Sequence, residues 1–339
     1  MNVLEALQAI NSRFGPSGQE RRVAEKIRAL AAPYADEVSV DVMGNLIVHK
    51  KGPGPRVMLC AHMDSIGFMV THVEPSGLLR IGAIGGIEAR DVLGTSVRFA
   101  NGVLGTVQVE DGVESGKKIE MGQLFVDIGA VDAADARARV QVGDMAVYNT
   151  PTYLSGQSIF GPYLDNRICC VALLMALERV QDSPNDLYFV FSTQEEVGLR
   201  GAQTAAFAID PDYAVVTDVT DSDDLPGSKH TCSSKLGGGA AIKVMDRSVI
   251  CHPQMVERLQ TLAKEGKIRY QLDVIDCGGT DGGAIHKSRA GVVTGGVSIP
   301  CRYTHSPQES VALSDVTDCA ALLAAFAQSP LPELERMGG

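Results

Sequence analysis

The stretch from Leu187 to Ala202 reads LYFVFSTQEEVGLRGA, and the other motifs of the chain can be placed around it. Its opening run, Leu187–Phe191, is apolar, β-branched or aromatic, a pattern typical of a buried strand in a parallel sheet. Two adjacent carboxylates follow, Glu195 and Glu196. Because ligand sites in open α/β sheets lie just beyond the carboxyl ends of the strands, this stretch predicts a functional site. The alternative for an isolated Glu-Glu pair is a solvated acidic turn.

The composition excludes several classes of protein. The chain has 339 residues, 45% of them apolar, and a net charge of −11, which argues against nucleic-acid binding because such proteins need a clustered basic face. No apolar run approaches the roughly 20 residues that span a bilayer. The N-terminus lacks the features of a signal peptide, and the eight scattered cysteines form no CxxC pair. We therefore expect a cytoplasmic protein without a membrane partner.

The hydrophobic pattern divides the chain into a discontinuous domain and an insertion. Residues 1–65 and 158–339 alternate strand-like and helix-like segments, which predicts an α/β catalytic domain. Residues 66–157 instead carry short apolar runs separated by glycine turns, which predicts an inserted all-β domain. Ser17 and Glu20 match a helix-start capping box, a structural explanation that needs no function.

Metal-binding side chains follow four predicted strands of the α/β domain. These are His62, Glu196, Asp218 and His305, and Asp165 stands at the head of a predicted helix. Singly, each has a structural explanation, such as a helix N-cap or a hydrogen-bonded surface histidine. Together, two imidazoles and three carboxylates suit zinc, cobalt or manganese. They are too many ligands for one catalytic zinc, and they predict two ions that share one carboxylate.

Two further carboxylates complete the predicted site. A pair of metal ions polarises a carbonyl and lowers the pKa of bound water, so a nearby carboxylate is needed to accept the proton of that water. Glu195, adjacent to the ligand Glu196, is the predicted general base. Asp64, two residues beyond His62, is predicted to hold the imidazole N–H and fix its orientation.

The chain resembles the M42 metallo-aminopeptidases, relatives of the glutamyl aminopeptidases and the tetrahedral (TET) peptidases. The resemblance extends over almost the full length, in the order of the family. It is carried by PSGQE (16–20), DVMGNLIV (41–48), AHMDSIGFMV (61–70), LDNR (164–167), TQEEVGLRGA (193–202), TDVT (217–220), GGTDGGAI (278–285) and RYTHSPQES (302–310).

The resemblance implies a mixed-sheet, two-metal peptidase domain with a PDZ-like domain inserted after the first histidine motif. It also implies the five ligands named above, with Asp165 bridging the two ions and Glu195 acting as the base. Three positions depart from the family pattern. Ser65 replaces a frequent acidic residue, Pro162 stands where lysine is frequent, and Asp221 occupies a position that is often histidine or another uncharged residue.

The remaining candidates are substrate contacts. Gly279, Thr280 and Asp281 belong to a glycine-rich segment that either approaches a substrate or only turns the chain before a helix. The resemblance favours substrate contact. Arg302 and Tyr303, close to His305, are candidates for binding the substrate or a tetrahedral intermediate.

The predicted function is hydrolysis of N-terminal residues from peptides by a two-metal aminopeptidase. Zn²⁺ is the expected ion, with Co²⁺ or Mn²⁺ as alternatives. A carboxypeptidase or an N-acyl amide deacylase could use the same ligands, and a metal-binding scaffold without activity is a third hypothesis. The resemblance further implies a homo-oligomer, such as the twelve-subunit tetrahedral shell of the family, with the inserted domain serving oligomerisation or access control.

Overall fold

The structure, a computed structural model, describes residues 1–113 and 118–331. Residues 114–117 of the predicted insertion and residues 332–339 of the predicted catalytic domain therefore lie outside the described residues. The helices are α1 (Val3–Asn11), α2 (Arg21–Ala31), α3 (Ala133–Arg139), α4 (Leu164–Arg179), α5 (Arg200–Ile209), α6 (Pro253–Glu265), α7 (Gly282–Ile285) and α8 (Leu313–Ala327).

The strands fall into two groups that differ in their partners. Those of the large sheet are β1 (Glu37–Val40), β2 (Leu46–Lys50), β3 (Arg56–His62), β10 (Tyr153–Ser155), β11 (Ser158–Gly161), β12 (Asp186–Ser192), β13 (Tyr213–Val216), β14 (Val219–Asp221), β15 (Ala240–Met245), β16 (Tyr270–Val274), β17 (Val293–Arg302) and β18 (Glu309–Ala312). Those of a separate barrel are β4 (Gly67–Val73), β5 (Leu79–Ile84), β6 (Ser96–Phe99), β7 (Leu104–Val109), β8 (Leu124–Asp127) and β9 (Met145–Tyr148).

Four parallel strands form the centre of the large sheet. They lie side by side in the order β12-β3-β13-β17, and antiparallel strands flank them, β2 beside β12 and β18 beside β17. The sheet is therefore mixed, as predicted. The apolar run Leu187–Phe191 lies within β12, whose last four residues are all buried. The carboxyl ends of the four parallel strands consequently meet along one edge of the sheet.

Helices cover both faces of this sheet. In β3, Val57, Leu59 and Ala61 point into a hydrophobic cluster that also contains most of α4 and α8, whereas Met58 and Cys60 point into a cluster with α5. This alternation is the period of two expected for a strand buried on both faces. The first fourteen residues of α4 are all buried, because this helix lies between the sheet and other helices.

The predicted β-rich insertion contains a closed six-stranded barrel. Its strands follow the order β4-β5-β8-β7-β6-β9, and the barrel has its own hydrophobic cluster, separate from that of the sheet. One short helix, α3, accompanies it, and Asp132 caps this helix by accepting hydrogen bonds from the amides of Ala134 and Asp135. The first strand after the barrel, β10, pairs with β11 and so belongs to the large sheet.

Within residues 1–113 and 118–331, no helix combines the length and the apolar character needed to cross a membrane. The longest helix, α4, has sixteen residues, and its apolar side chains pack inside the protein. The helix α4 is therefore buried because it packs in the hydrophobic core beside the large sheet.

Candidate metal centre

The carboxyl edge of the parallel strands brings the predicted ligands together. His62 is the last residue of β3, and Glu196, Asp218 and His305 lie in the turns that follow β12, β13 and β17. Asp165 reaches the same place from the start of α4, where its own backbone is non-helical (φ −75°, ψ 105°). Four of these side chains thus converge because their strands are neighbours in the sheet, and the start of α4 brings Asp165 to the same edge.

One group of ligands is built on His62, Asp165 and Asp218. The Nε2 atom of His62 lies 3.1 Å from Asp165 Oδ1 and 3.6 Å from Asp218 Oδ1. All three residues are buried, and one donor atom from each lies within 4.8 Å of the others. This spacing suits three ligands of one ion.

A second group is built on His305, Glu196 and again Asp165. The Nε2 atom of His305 lies 3.3 Å from Asp165 Oδ2 and 3.3 Å from Glu196 Oε2. The other oxygen of Glu196, Oε1, is buried without a hydrogen-bond partner among the described residues. Because the two oxygens of Asp165 face different histidines, this carboxylate belongs to both groups.

The electrostatics of this edge favour a cation. Burial raises the pKa of Asp218 to about 6 and also raises the pKa of Glu196 and, strongly, that of Glu195. Each shift reflects the cost of holding a negative charge in a site where carboxylates outnumber imidazoles. Imidazole nitrogens and carboxylate oxygens are donors that zinc, cobalt and manganese accept. The residues present therefore fit a divalent metal centre.

Asp64 contacts both His62 and the turn that contains Glu195 and Glu196. Its carboxylate lies 3.3 Å from His62 Nδ1 and accepts hydrogen bonds from the backbone amides of Glu195 (3.1 Å) and Glu196 (3.3 Å). Burial alone would raise the pKa of Asp64, but the contacts with His62, Ser17 and the Glu195 amide outweigh burial and lower it. Asp64 is thus an ionised anchor that fixes the His62 ring and the Glu195–Glu196 turn at once.

The capping-box interpretation of Ser17 is wrong. The helix α2 begins at Arg21, and its N-cap Glu20 makes no capping bond within that helix. The Ser17 hydroxyl instead donates a 2.6 Å hydrogen bond to Asp64 Oδ2, 47 residues away, and Glu20 accepts a bond from the Gln194 amide. Both side chains support the candidate metal centre, which local sequence spacing could not show.

Removing this support is expected to weaken metal binding. In Ser17→Ala, Asp64 loses one of its donors and holds the His62 ring less firmly, so we expect Zn²⁺ affinity to fall about tenfold, the low end for residues that orient metal ligands. Titration with a competing chelator measures the change. The matched control is Ser12→Ala, since Ser12 bonds only a nearby backbone carbonyl at the surface. Equal affinities for the two variants would contradict the role of Ser17.

Glu309 is a supporting residue that the sequence interpretation missed. It is 1% exposed, and its two oxygens accept hydrogen bonds from the backbone amides of Asp165 (2.9 Å) and His305 (2.8 Å). Glu309 therefore connects Asp165, which belongs to both groups, to His305 of the second group. Its position four residues after His305, at the start of β18, is the sequence feature that could have identified it as a neighbour of the site.

A cavity of about 490 Å³ is lined by all five predicted ligands. Glu195 lies on its wall with Oε2 4.0 Å from His62 Nε2, and Gly279 and Thr280 line it as well. Asp281 does not line the cavity, because its carboxylate is buried and accepts a hydrogen bond from Ser192. The glycine-rich segment thus leads into α7 and also forms part of the cavity wall, and its contact with a substrate stays a prediction.

The other two predicted substrate contacts lie outside the cavity lining. The guanidinium of Arg302 forms two hydrogen bonds to Asp224, 2.8 and 2.7 Å long. Tyr303 is about half exposed, at 49%, with a left-handed backbone (φ 62°) that begins the turn to His305. Substrate contact by Arg302 and Tyr303 therefore stays a prediction.

The α/β fold and this site define a class of protein, the metal-dependent aminopeptidases. The model of the M42 glutamyl aminopeptidase family matches residues 44–322, and the chain belongs to this family. A protein of Acetivibrio thermocellus, named provisionally as an aminopeptidase, is 42% identical over 95% of this chain and 97% of its own length.

Two solved structures show how far the similarity of the fold extends. Aminopeptidase APDkam598 from the archaeon Desulfurococcus kamchatkensis is 36% identical with a TM-score of 0.92, covering 96% of this chain and 94% of that one. The Pyrococcus horikoshii TET1 peptidase, which can assemble into a tetrahedron or a large octahedral shell, is 30% identical with a TM-score of 0.87, covering 96% and 99%. The aminopeptidase fold is therefore present over nearly the whole chain.

Proposed function

We propose that this protein is a two-metal aminopeptidase that removes N-terminal residues from peptides. The observation that carries the proposal is the shared carboxylate of Asp165, whose two oxygens face His62 and His305. One ion would be held by His62, Asp165 and Asp218, and the other by Asp165, Glu196 and His305. Zn²⁺ is the expected ion at both places, with Co²⁺ or Mn²⁺ as alternatives.

The proposed mechanism assigns the proton transfers to Glu195. When bound, the two ions supply Lewis acidity toward the scissile carbonyl and lower the pKa of water. Glu195 accepts the proton of the attacking water and returns it to the leaving amine. Burial, which raises its pKa, makes Glu195 a stronger base than an exposed glutamate. Asp64 is proposed to hold Glu195 in place through its backbone amide.

The charges of the site support attack at the amino end of a peptide. A free α-ammonium group would be attracted by Glu195, which lies on the cavity wall and is not a proposed ligand, so no bound ion compensates its charge directly. An N-acylated substrate offers no such charge. The charge of Glu195 also argues against a carboxypeptidase, because it would repel a terminal carboxylate.

The test is a paired assay of aminoacyl anilides and their N-acetylated counterparts with metal-loaded protein. Cleavage of the free-amine series alone is the expected result. Preference for the acetylated series would support the deacylase hypothesis. Metal-loaded protein that cleaves neither series would support the scaffold hypothesis.

The proposal extends to domains, location and assembly. We place the catalytic domain at residues 1–65 and 158–339 and a PDZ-like domain at 66–157, which serves oligomerisation or access control. The eight free cysteines support a reducing, cytoplasmic location. The assembly of the TET1 relative supports a homo-oligomer, such as a tetrahedral dodecamer. Light scattering is expected to give a mass well above that of the 35.9 kDa chain, and a monomer mass would contradict this part.

A further inference from the structure

The cavity extends beyond the proposed ligands to a second wall. That wall is formed by β14, by Lys243 and Asp246 near the end of β15, and by residues of the loop 275–280. If the first peptide bond lies at the metal centre, the side chain of the N-terminal residue must occupy the remaining space. The charge and polarity of this wall therefore set which N-terminal residue is accepted.

Asp221 is the carboxylate of this wall that is free to bind a cation. It is exposed, and the Thr304 hydroxyl donates a 2.7 Å hydrogen bond to its Oδ1. Among the described residues no side chain or amide donates to Oδ2, and none of their cationic groups lies within 4.0 Å of the carboxylate. One oxygen is thus held in place while the other remains available.

The other charged groups of the wall do not offset Asp221. Lys243 is 3% exposed and forms a 2.7 Å ion pair with the fully buried Asp273, so its positive charge is already compensated. Asp246 accepts hydrogen bonds from Ser248, the Val249 amide and Thr280, which fits a role in shaping the loop. The wall therefore carries net negative charge.

The same cavity has an apolar part formed by Leu199, Val219 and Ile275. Lysine and arginine side chains combine an apolar stem with a charged end, which suits a wall that is apolar along its length and anionic at one place. A leucine side chain would leave Asp221 without a partner, and a glutamate side chain would be repelled by it.

We propose that Asp221 makes this enzyme selective for peptides with an N-terminal lysine or arginine. The inference rests on the proposed aminopeptidase function and adds the substrate class. It is supported by the position of Asp221, three residues after the proposed ligand Asp218, which places it on the wall of the same cavity.

The test compares kcat/KM for lysyl, arginyl, leucyl and glutamyl anilides with the metal-loaded protein. We expect lysyl and arginyl substrates to be cleaved fastest. Asp221→Asn should lower the lysyl-to-leucyl ratio about tenfold, mainly through KM for the lysyl substrate, as loss of one partly solvated charge pair predicts. Asp221→Lys should favour glutamyl over lysyl substrate. The matched control is Asp223→Asn. Asp223 is an acidic residue that faces His230 and does not line the cavity, so this variant should keep the lysyl-to-leucyl ratio of the unaltered protein.

The possible outcomes distinguish failure of the proposed selectivity from failure of the proposed aminopeptidase function. Fastest cleavage of leucyl or glutamyl substrates by the unaltered protein would overturn the selectivity and leave the aminopeptidase intact. The same holds if Asp221→Asn and Asp223→Asn keep equal lysyl-to-leucyl ratios. Absence of cleavage of every free-amine substrate would contradict the aminopeptidase, and the selectivity with it.

Discussion

Replacing Glu195 with glutamine is expected to lower kcat by about 10³-fold, within the range that a general base contributes. Glutamine has nearly the same size but cannot accept the proton of the attacking water. The proposed metal ligands are separate residues, and the Glu195 amide that bonds Asp64 is unchanged by the substitution. Metal content should therefore remain close to that of the unaltered protein. Steady-state kinetics and metal analysis on the same sample measure the two quantities.

The matched control for this variant is Glu25→Gln, since Glu25 lies on the exposed face of α2 and pairs only loosely with Arg21. It should keep full activity. Normal turnover by Glu195→Gln would remove Glu195 from the role of base. Loss of metal together with activity would instead make Glu195 a ligand, which contradicts the proposed division between Glu195 and Glu196.

The second large effect is expected for Asp165→Asn, which should lose both metal ions. The amide has one oxygen where the carboxylate had two, and the two oxygens of Asp165 face different histidines. Without the shared negative charge, the remaining proposed ligands should bind cations weakly, and activity should fall by at least about 10³-fold because the proposed chemistry depends on metal-activated water. Metal analysis after dialysis gives the number of ions retained per chain.

Asp91→Asn is the matched control, because Asp91 is half exposed and lies 3.5 Å from Arg90 at the surface. It should retain the metal content of the unaltered protein. Retention of both ions by Asp165→Asn would show that this residue does not join the two ligand groups. Loss of one ion only would assign Asp165 to a single group.

The convergence of the proposed ligand residues could be predicted because it follows from strand order. His62 ends a parallel strand, Glu196, Asp218 and His305 follow others, and the carboxyl ends of such strands meet at one edge. Apolar runs such as Leu187–Phe191 identify buried strands without any structure. The α/β class and the clustering of these side chains therefore depend on local patterns that a sequence displays.

The supporting contacts could not be predicted because they join residues that are far apart in sequence. Ser17 fits a helix cap by its local spacing, yet its hydroxyl bonds Asp64. Glu309 bonds the backbone of Asp165, 144 residues away, and no local pattern marks that pairing. The guanidinium of Arg302 bonds Asp224, 78 residues away, a pairing that its nearness to His305 in the sequence does not indicate. Such contacts depend on packing, which only coordinates display.

The most direct test of the proposed two-metal centre is a crystal structure of the zinc-loaded protein, recorded on both sides of the zinc absorption edge. We predict two anomalous peaks per chain, which mark two zinc ions. His62 and Asp218 bind one ion, Glu196 and His305 bind the other, and Asp165 binds both. A single peak, or peaks bound by other residues, would contradict the two-metal site.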